Sequence, residues 1–484
     1  MINTMSTITP PRELHGKRLF GYSLGDLGLS LPNMFTGIFI YQYYVYTVNL
    51  NALMVSIGVT AQLIFGAITA IIFGVIIDNK KPGKLGKRRP FLLIGLPVWV
   101  ITTILIWFPP LCPEDNSSYL PTAIFFWVVI LTRTIFRSLL LNVYTSMLPE
   151  QSQTLKNREK VASIRSAFSI IASIFAMLAP LIVQSILSDP KSVKWWEPSG
   201  KLILFYIPLI GITFIIFGLV CVIIIFFSVD ESFHNDNRSL KKTKITDAFK
   251  NMRIPIMDKN FIKLMLAGFF IGISGKTVGL LVIPFQTYLM GFQASEFFIY
   301  IFISIFGKFI WFFAWKRIMK RNNIVNSYAV CILLAVIAAV MDVLFLISDL
   351  SYALNIILYI VSWSTVLGSM YAYPLFSIPI MASLVHEAAE NDKSSNVDES
   401  MAKISGSYYG LASFVQSMGP AVASLLVGSI LSGPNEESAL AITIIFVSIG
   451  FFYLIAFIFI KRISLSKNSY YNPQFVEKEK ILLE

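Results

Sequence analysis

The sequence predicts an all-α membrane protein, with twelve transmembrane helices in two six-helix bundles and both termini cytoplasmic. Three observations predict it. Of the 484 residues, 56% are hydrophobic and only 14% charged, with a mean hydropathy of +0.70. A soluble domain of ordinary composition needs ~25% charged residues to wet its surface. The apolar residues gather in stretches of the ~20 residues that a helix needs to cross a bilayer. The Lys and Arg residues collect in alternate connections between those stretches, as the orientation rule for cytoplasmic loops requires.

The N-terminal segment is polar and holds no apolar h-region, so no cleaved signal peptide is expected and the first span serves as its own insertion signal. The first six spans fall near 20–46, 53–77, 91–109, 121–146, 160–186 and 202–228. The second six fall near 261–290, 294–315, 327–347, 352–385, 403–432 and 438–460. Pro374 and Pro379 lie within the tenth, which is expected to kink there. The stretch 229–260 is the one long polar connection inside the chain. It divides the sequence into a bundle at 1–228, a cytoplasmic linker, and a second bundle at 261–484 that ends in a cytoplasmic tail.

Charge sets the orientation. The connection 78–90 holds six basic residues and 316–321 holds four, and the linker and the tail after Lys461 are basic too. The opposite connections hold acids instead: Glu114 and Asp115, Glu296, Asp349, and Glu436 with Glu437. One connection breaks the pattern, since 187–201 carries three Lys against two acids.

The formal net charge of +12 is read as basic loops facing anionic lipid headgroups, with no nucleic acid as partner. Cys112, Cys221 and Cys331 match no redox or metal spacing, and neither do His15, His234 and His386. Ser274-Gly-Lys276-Thr277 has the ending of a phosphate-binding loop, but the first glycine of that motif is replaced by Phe270 and the segment lies in a span. No nucleophile motif, acid–base pair or metal set is present, so no enzyme, cofactor or metal is expected.

The connection between the second and third spans reads Gly74-Val-Ile-Ile-Asp78, then Gly86-Lys87-Arg88-Arg89-Pro90. Gly74 offers a close helix approach, and the basic cluster after Asp78 suits acidic or carbonyl partners at the helix ends. This order resembles the conserved loop of the major facilitator superfamily. In detail it is similar to the glycoside–pentoside–hexuronide:cation symporter family, typified by the melibiose permease. Three further stretches agree: Gly21-Tyr22-Ser23-Leu24-Gly25-Asp26-Leu27-Gly28; Tyr144-Thr-Ser-Met-Leu-Pro149-Glu150 with Arg158-Glu159 and Ile164-Arg165-Ser166; and Gly406-Ser407-Tyr408-Tyr409-Gly410.

The resemblance implies a secondary transporter of the plasma membrane, in which two bundles rock around a solute site at their interface. It implies a sugar or related small polar solute, Na⁺ or H⁺ as coupling ion, and a monomer. The departures from the family pattern are specific. The paired span-two carboxylates of coupled members fall on Gly66 and Ala70, the sugar-binding acid of span one on Ser30, the acid late in span four on Leu141, and a span-eleven lysine on Gln416. Arg165 alone keeps its type. An uncoupled facilitator, or a non-transporting sensor of the same fold, is therefore the alternative.

Ionisable residues within spans cost at least ~2.5 kcal/mol to insert and are functional candidates by default. Arg133 and Arg137, one turn apart in span four, and Lys276 in span seven are candidates for binding an anionic solute such as a uronide, with Arg165 beside them. Asp26, Asp342 and Lys308 are candidates for coupling; Asp26 is expected to pair with Arg165 or a base of the 78–90 loop, and Asp342 to sit near the wet end of its span. Lys308 has the bland alternative of reaching back to the cytoplasmic face. Polar and aromatic candidates for the cavity wall are Tyr22, Asn33, Gln42, Tyr43, Gln62, Asn142, Gln286, Trp363, Tyr371, Tyr373, Tyr408 and Gln416.

Overall fold

The structure is a computed structural model and describes residues 12–81, 83–231, 253–292, 294–346, 351–390 and 397–465. Among them are twelve long helices: α1 Gly16–Gln42, α2 Ala52–Asn79, α3 Arg89–Leu105, α4 Leu120–Gln151, α5 Leu155–Ser185, α6 Pro198–Ser228, α7 Lys259–Pro284, α8 Phe298–Arg321, α9 Ile324–Met341, α10 Tyr352–Glu390, α11 Val397–Ile430 and α12 Ala439–Lys461. Each coincides with one expected span. Most of the linker, 232–252, lies outside the described residues.

The helix starts are written locally. Asn51 caps α2 by accepting the Leu53 N–H, Thr154 caps α5 at Asn157, Asp258 caps α7 at Asn260 and Phe261, and Ser438 caps α12 at Ala441. Pro stands in the first turn of α3, α4 and α6, where its missing N–H leaves no hydrogen bond unmade. Helix α10 runs as one helix through Pro374 and Pro379.

Nine of these helices, among the described residues, are long and apolar enough to cross a membrane, and α3 is a shorter apolar helix. Their apolar residues point outward as well as inward. Phe205 and Phe227 of α6 and Phe451 of α12 are each more than half exposed. An apolar belt of that extent needs hydrocarbon around it.

The packing repeats. In the first six helices, α1 lies on α5 and α6, α4 on α2 and α3, and α3 on α6. In the last six, α7 lies on α11 and α12, α10 on α8 and α9, and α9 on α12. The second set is the first shifted by six helices. The repeat extends to the backbone: α1 and α7 each run into a π turn, Tyr43–Thr47 and Phe285–Leu289. After them Val48 N–H bonds Tyr43 O at 2.9 Å and Leu50 N–H bonds Tyr44 O at 2.8 Å. Their counterparts, Met290 to Phe285 and Phe292 to Gln286, measure 3.0 and 2.9 Å. Asn49 (φ 69°) and Gly291 (φ 66°) hold the same left-handed position in these two corners.

The two sets touch mainly through α2 on α11, with smaller contacts of α1 on α7 and α5 on α8. Gly428 of α11 permits the first of these: a Cβ there would stand 2.3 Å from Ser56 Cβ and 2.8 Å from Ala52 O. Gly74 has no such role. No atom of the described residues outside its own helix lies within 4 Å of the position its Cβ would take, which corrects the expectation of a close approach there.

Candidate functional site

At the end of the molecule that bears the 78–90 connection, basic side chains turn inward. The guanidinium of Arg88 donates to Ser146 O at the end of α4, and that of Arg89 to Val229 O at the end of α6. Val229 O is a carbonyl that the end of α6 leaves open, whereas Ser146 O lies within the last turns of α4. Glu231 is buried beneath the loop and accepts the backbone N–H of Arg88 at 2.9 Å. Gly86, at φ 84°, leaves room for it. The expected carbonyl and acidic partners of this cluster are thus present. Asp78 lies in α2, but its side chain is outside the described residues.

Asp26 of α1 is gripped by Arg165 of α5, through Nε and, at 3.3 Å, through Nη2. Tyr144 donates to the same carboxylate at 3.1 Å, and the Arg165 guanidinium lies 4.6 Å from the centre of its ring. Tyr22 is fully buried and donates to Tyr144 O at 2.7 Å. Of the two partners expected for Asp26, Arg165 is the one found.

Arg133 is 2% exposed and lies between helices, its Nε on Thr103 Oγ1 of α3 at 3.2 Å and its Nη2 on Thr36 Oγ1 of α1 at 3.1 Å. Arg137 and Lys276 are half-buried on α4 and α7, and neither has an acidic partner among the described residues. The Nε of Arg137 and the Oε1 atoms of Gln42 and Gln62 have no hydrogen-bond partner there. The side chains of Tyr373 of α10 and Gln416 of α11 both lie against Gly268 of α7. Lys308 is in α8, with its side chain outside the described residues, and the same holds for Tyr371 in α10.

Several expected wall residues lie inside the helix packing instead. Tyr43 donates to Trp107 O, Gln286 donates to Tyr359, and Tyr408 donates to the α7 cap Asp258; all three, with Trp363, are at most 2% exposed. Asp342 is not at a wet end of its span. It is fully buried, takes a hydrogen bond from Ser362, and its Oδ2 has no partner among the described residues.

At the opposite end the two helix sets are joined by polar contacts. Tyr46 donates to Glu436 O at 2.9 Å, Lys194 Nζ lies 3.9 Å from Glu436 Oε2, and Thr60 donates to Ala421 O at 3.0 Å. Lys194 also bonds Asn49 Oδ1 at 2.9 Å, and the Tyr46 and Tyr288 rings pair at 5.5 Å. The sequence carried one signal of this cluster, the three Lys of 187–201 on the side otherwise poor in base.

The sequence pattern of the family described as MFS/sugar transport protein matches residues 21–467. The chain belongs to that family. As one of its members it is a multi-pass membrane protein, and the resemblance carried by its motifs is borne out. The uncharacterised symporter YjmB of Bacillus subtilis is 27% identical over 187 residues, 38% of this chain and 40% of that protein. A protein named as a sulfoquinovose importer of Escherichia coli is 24% identical over 37% of each chain. A glucuronide carrier protein homolog of Escherichia coli is 24% identical over 36% of this chain and 37% of the other. These matches span about two-fifths of each relative's length. Two solved structures share the fold. One is a bacterial homolog of the human lysosomal transporter Spinster in an inward-facing, unoccupied conformation, with TM-score 0.63, 14% identity, and 92% and 95% of the two chains covered. The other is a D-xylose–proton symporter, with TM-score 0.59, 14% identity, and 90% and 96% covered.

Within this family frame the departures in α2 have a physical setting. Asn142 of α4 donates to Ala70 O at 3.2 Å, and Gly66 faces Thr134 of α4, whose Cγ2 lies 3.1 Å from where a Cβ would be. An amide and a methyl group occupy the α2–α4 contact at those positions.

Proposed function

We propose that the chain is a twelve-span secondary transporter that carries a sugar or related small polar solute across the plasma membrane by alternating access. The basic end, with both termini and the linker, faces the cytoplasm, and the end closed by Glu436 faces outward. The observation that carries this reading is the repeated six-helix packing with polar contacts between the two sets gathered at the outward end. Two units joined in that way can part at one end while meeting at the other. The bundles are taken as 1–228 and 261–484, working as a monomer.

The solute is read as an anionic sugar. Arg137 and Lys276 are cations at membrane depth on α4 and α7 with no acid to neutralise them among the described residues, and an anionic ligand is the natural counter-charge. Glucuronides and sulfoquinovose, for which two of the relatives are named, carry a carboxylate and a sulfonate. Arg133, held by two threonine hydroxyls, is assigned to positioning Arg137 and the α1–α3–α4 contact. Gln62, Asn142, Tyr373 and Gln416 supply the uncharged contacts.

Membership of this family, with a relative named as a symporter, supports coupling to Na⁺ or H⁺, with Asp342 and Lys308 as the remaining candidates, since Asp26 is taken by Arg165. A specific observation favours an uncoupled facilitator as the second reading: Asn142 and Thr134 fill the α2–α4 contact where coupled members place their carboxylates.

Counterflow in proteoliposomes, with neutral and anionic sugars and with or without a Na⁺ or H⁺ gradient, tests these readings together. Anionic sugars are expected to exchange faster, and Arg137→Gln or Lys276→Gln to abolish that preference. Equal handling of both classes by the unsubstituted chain would remove the anion reading. Absence of any solute movement would remove the transporter reading.

A further inference from the structure

Two of the contacts at the closed end meet on one residue, Glu436: Tyr46 on its backbone carbonyl and Lys194 on its carboxyl group. Glu436 sits in the short turn between α11 and α12, and its side chain is 14% exposed. It belongs to the last six helices, yet what surrounds it comes largely from the first six. Lys194 Nζ approaches from the α5–α6 connection, the Ala52 backbone N–H from the first turn of α2, and Tyr46 from the π turn after α1. The start of α2 is a favourable place for a negative group, because helix N–H groups without partners point there. Lys194 is itself held in place by Asn49 Oδ1 at 2.9 Å and by Val45 O at 3.4 Å. The connections that supply Lys194 and Glu436 are counterparts in the two halves of the repeat. The Tyr46–Tyr288 pair, the fourth residues of the two π turns, joins the halves beside them.

We propose that Glu436 is the latch of this end: the two helix sets part here only when its carboxyl group leaves Lys194 and the start of α2, and the latch holds more firmly when that group is protonated. The inference rests on the reading that the halves separate at this end during transport. Burial pushes the carboxyl up to about 7, against the opposing pull of Lys194 and the Ala52 amide; Glu437 beside it pushes the same way as burial. The other titratable groups facing this cluster are Tyr41, Tyr46, Tyr288 and Glu197.

The sign follows from linkage. Once the end opens, the carboxyl returns to water and to an ordinary value of ~4.3. Between that value and about 7, closing the end therefore takes up a proton, so acid favours the closed form. Above 7 the group is ionised in both forms and the bias disappears. The proton enters and leaves at the same end, so the latch senses pH without carrying a proton across the membrane.

Ser56 is fully buried behind the latch, against Gly428, and Ser56→Cys reports opening of this end by maleimide labelling. Nanodiscs expose both faces of the protein, so the result does not depend on its topology, and no solute is added, so it does not depend on transport. Exposed Asp115→Cys calibrates the pH dependence of the reagent, and the unsubstituted chain, with its three cysteines buried, gives the blank.

Relative to that calibration, Ser56→Cys labelling is expected to slow by about tenfold or more from pH 8.5 to 5.5. Added Glu436→Gln should give slow labelling at every pH. Added Lys194→Gln, which removes the cation that favours the ionised carboxyl, should move the transition to higher pH, and Glu437→Gln should retain a transition. A flat profile in the Ser56→Cys protein overturns the proposal. So does an unchanged slope with Glu436→Gln, or a transition left in place or lowered by Lys194→Gln.

Discussion

Asp26 and Arg165 are 139 positions apart in the chain and share one carboxylate–guanidinium contact, each with 18% of its side chain exposed. At that burial neither charge is well hydrated, and each depends on the other. Asp26→Asn leaves the guanidinium half-buried without its counter-charge, at a cost of about 3 kcal/mol for such a pair. The purified protein is expected to unfold several degrees lower. Adding Arg165→Met to that variant should recover part of the loss, because the orphaned charge goes with it. If the double variant is no more stable than Asp26→Asn alone, the pair does not hold α1 to α5. This contact was legible in the sequence, since both residues stand in recognisable motifs. The Glu436 cluster was not. Tyr46 and Glu436 lie 390 positions apart, and Thr60 and Ala421 lie 361 apart, with no local pattern to mark them. One of two adjacent Glu residues in a short connection looks like any solvated loop acid until α2 is placed beneath it.

Helices were the most legible elements, because an apolar stretch declares itself within ~20 residues. What each helix touches was less so, and two glycines of α11 separate the cases. Gly419 faces α7, within its own helix set: a Cβ would meet Phe269 O at 2.1 Å. Gly428 faces α2, in the other set, meeting Ser56 Oγ at 2.0 Å. Gly419→Leu drives a side chain into backbone and is expected to abolish recovery of monodisperse protein. Gly428→Leu leaves each set's own packing intact and wedges the closed end apart. Overpacking costs ~1–3 kcal/mol, so the closed population should fall by roughly tenfold or more and counterflow with it, while size-exclusion behaviour stays normal. Normal counterflow by Gly428→Leu would mean that α2 and α11 need not meet at this point during the cycle. Gly74 shows the limit of reading motifs alone: it belongs to a recognisable loop, yet among the described residues no neighbour outside its helix lies within 4 Å of where its Cβ would be.

On the scale of the whole molecule, the repeat was legible only as a count of six spans and six. The two halves show no obvious identity because lipid-facing surface asks only for apolar side chains, and many sequences satisfy that demand. What the halves share is backbone: the same helix pairings, the same π turns, and the left-handed corner filled by Asn49 in one and Gly291 in the other. If each half moves as a unit, linking two points within a half should be harmless, whereas linking one half to the other at the closed end should stop the cycle. Thr60 and Ala421 join across the halves, with Thr60 Oγ1 3.0 Å from Ala421 O. Ser274 and Ile449 join within the second half, with Ser274 Oγ 3.3 Å from Ile449 O. With each pair changed to cysteine and bridged by a short cleavable thiol reagent, counterflow should drop to background for Thr60→Cys with Ala421→Cys and return on cleavage. The Ser274→Cys, Ile449→Cys pair should transport before and after bridging. Transport that survives the first bridge would mean that solute passes without the halves parting at this end, and the two-body description would fail with it.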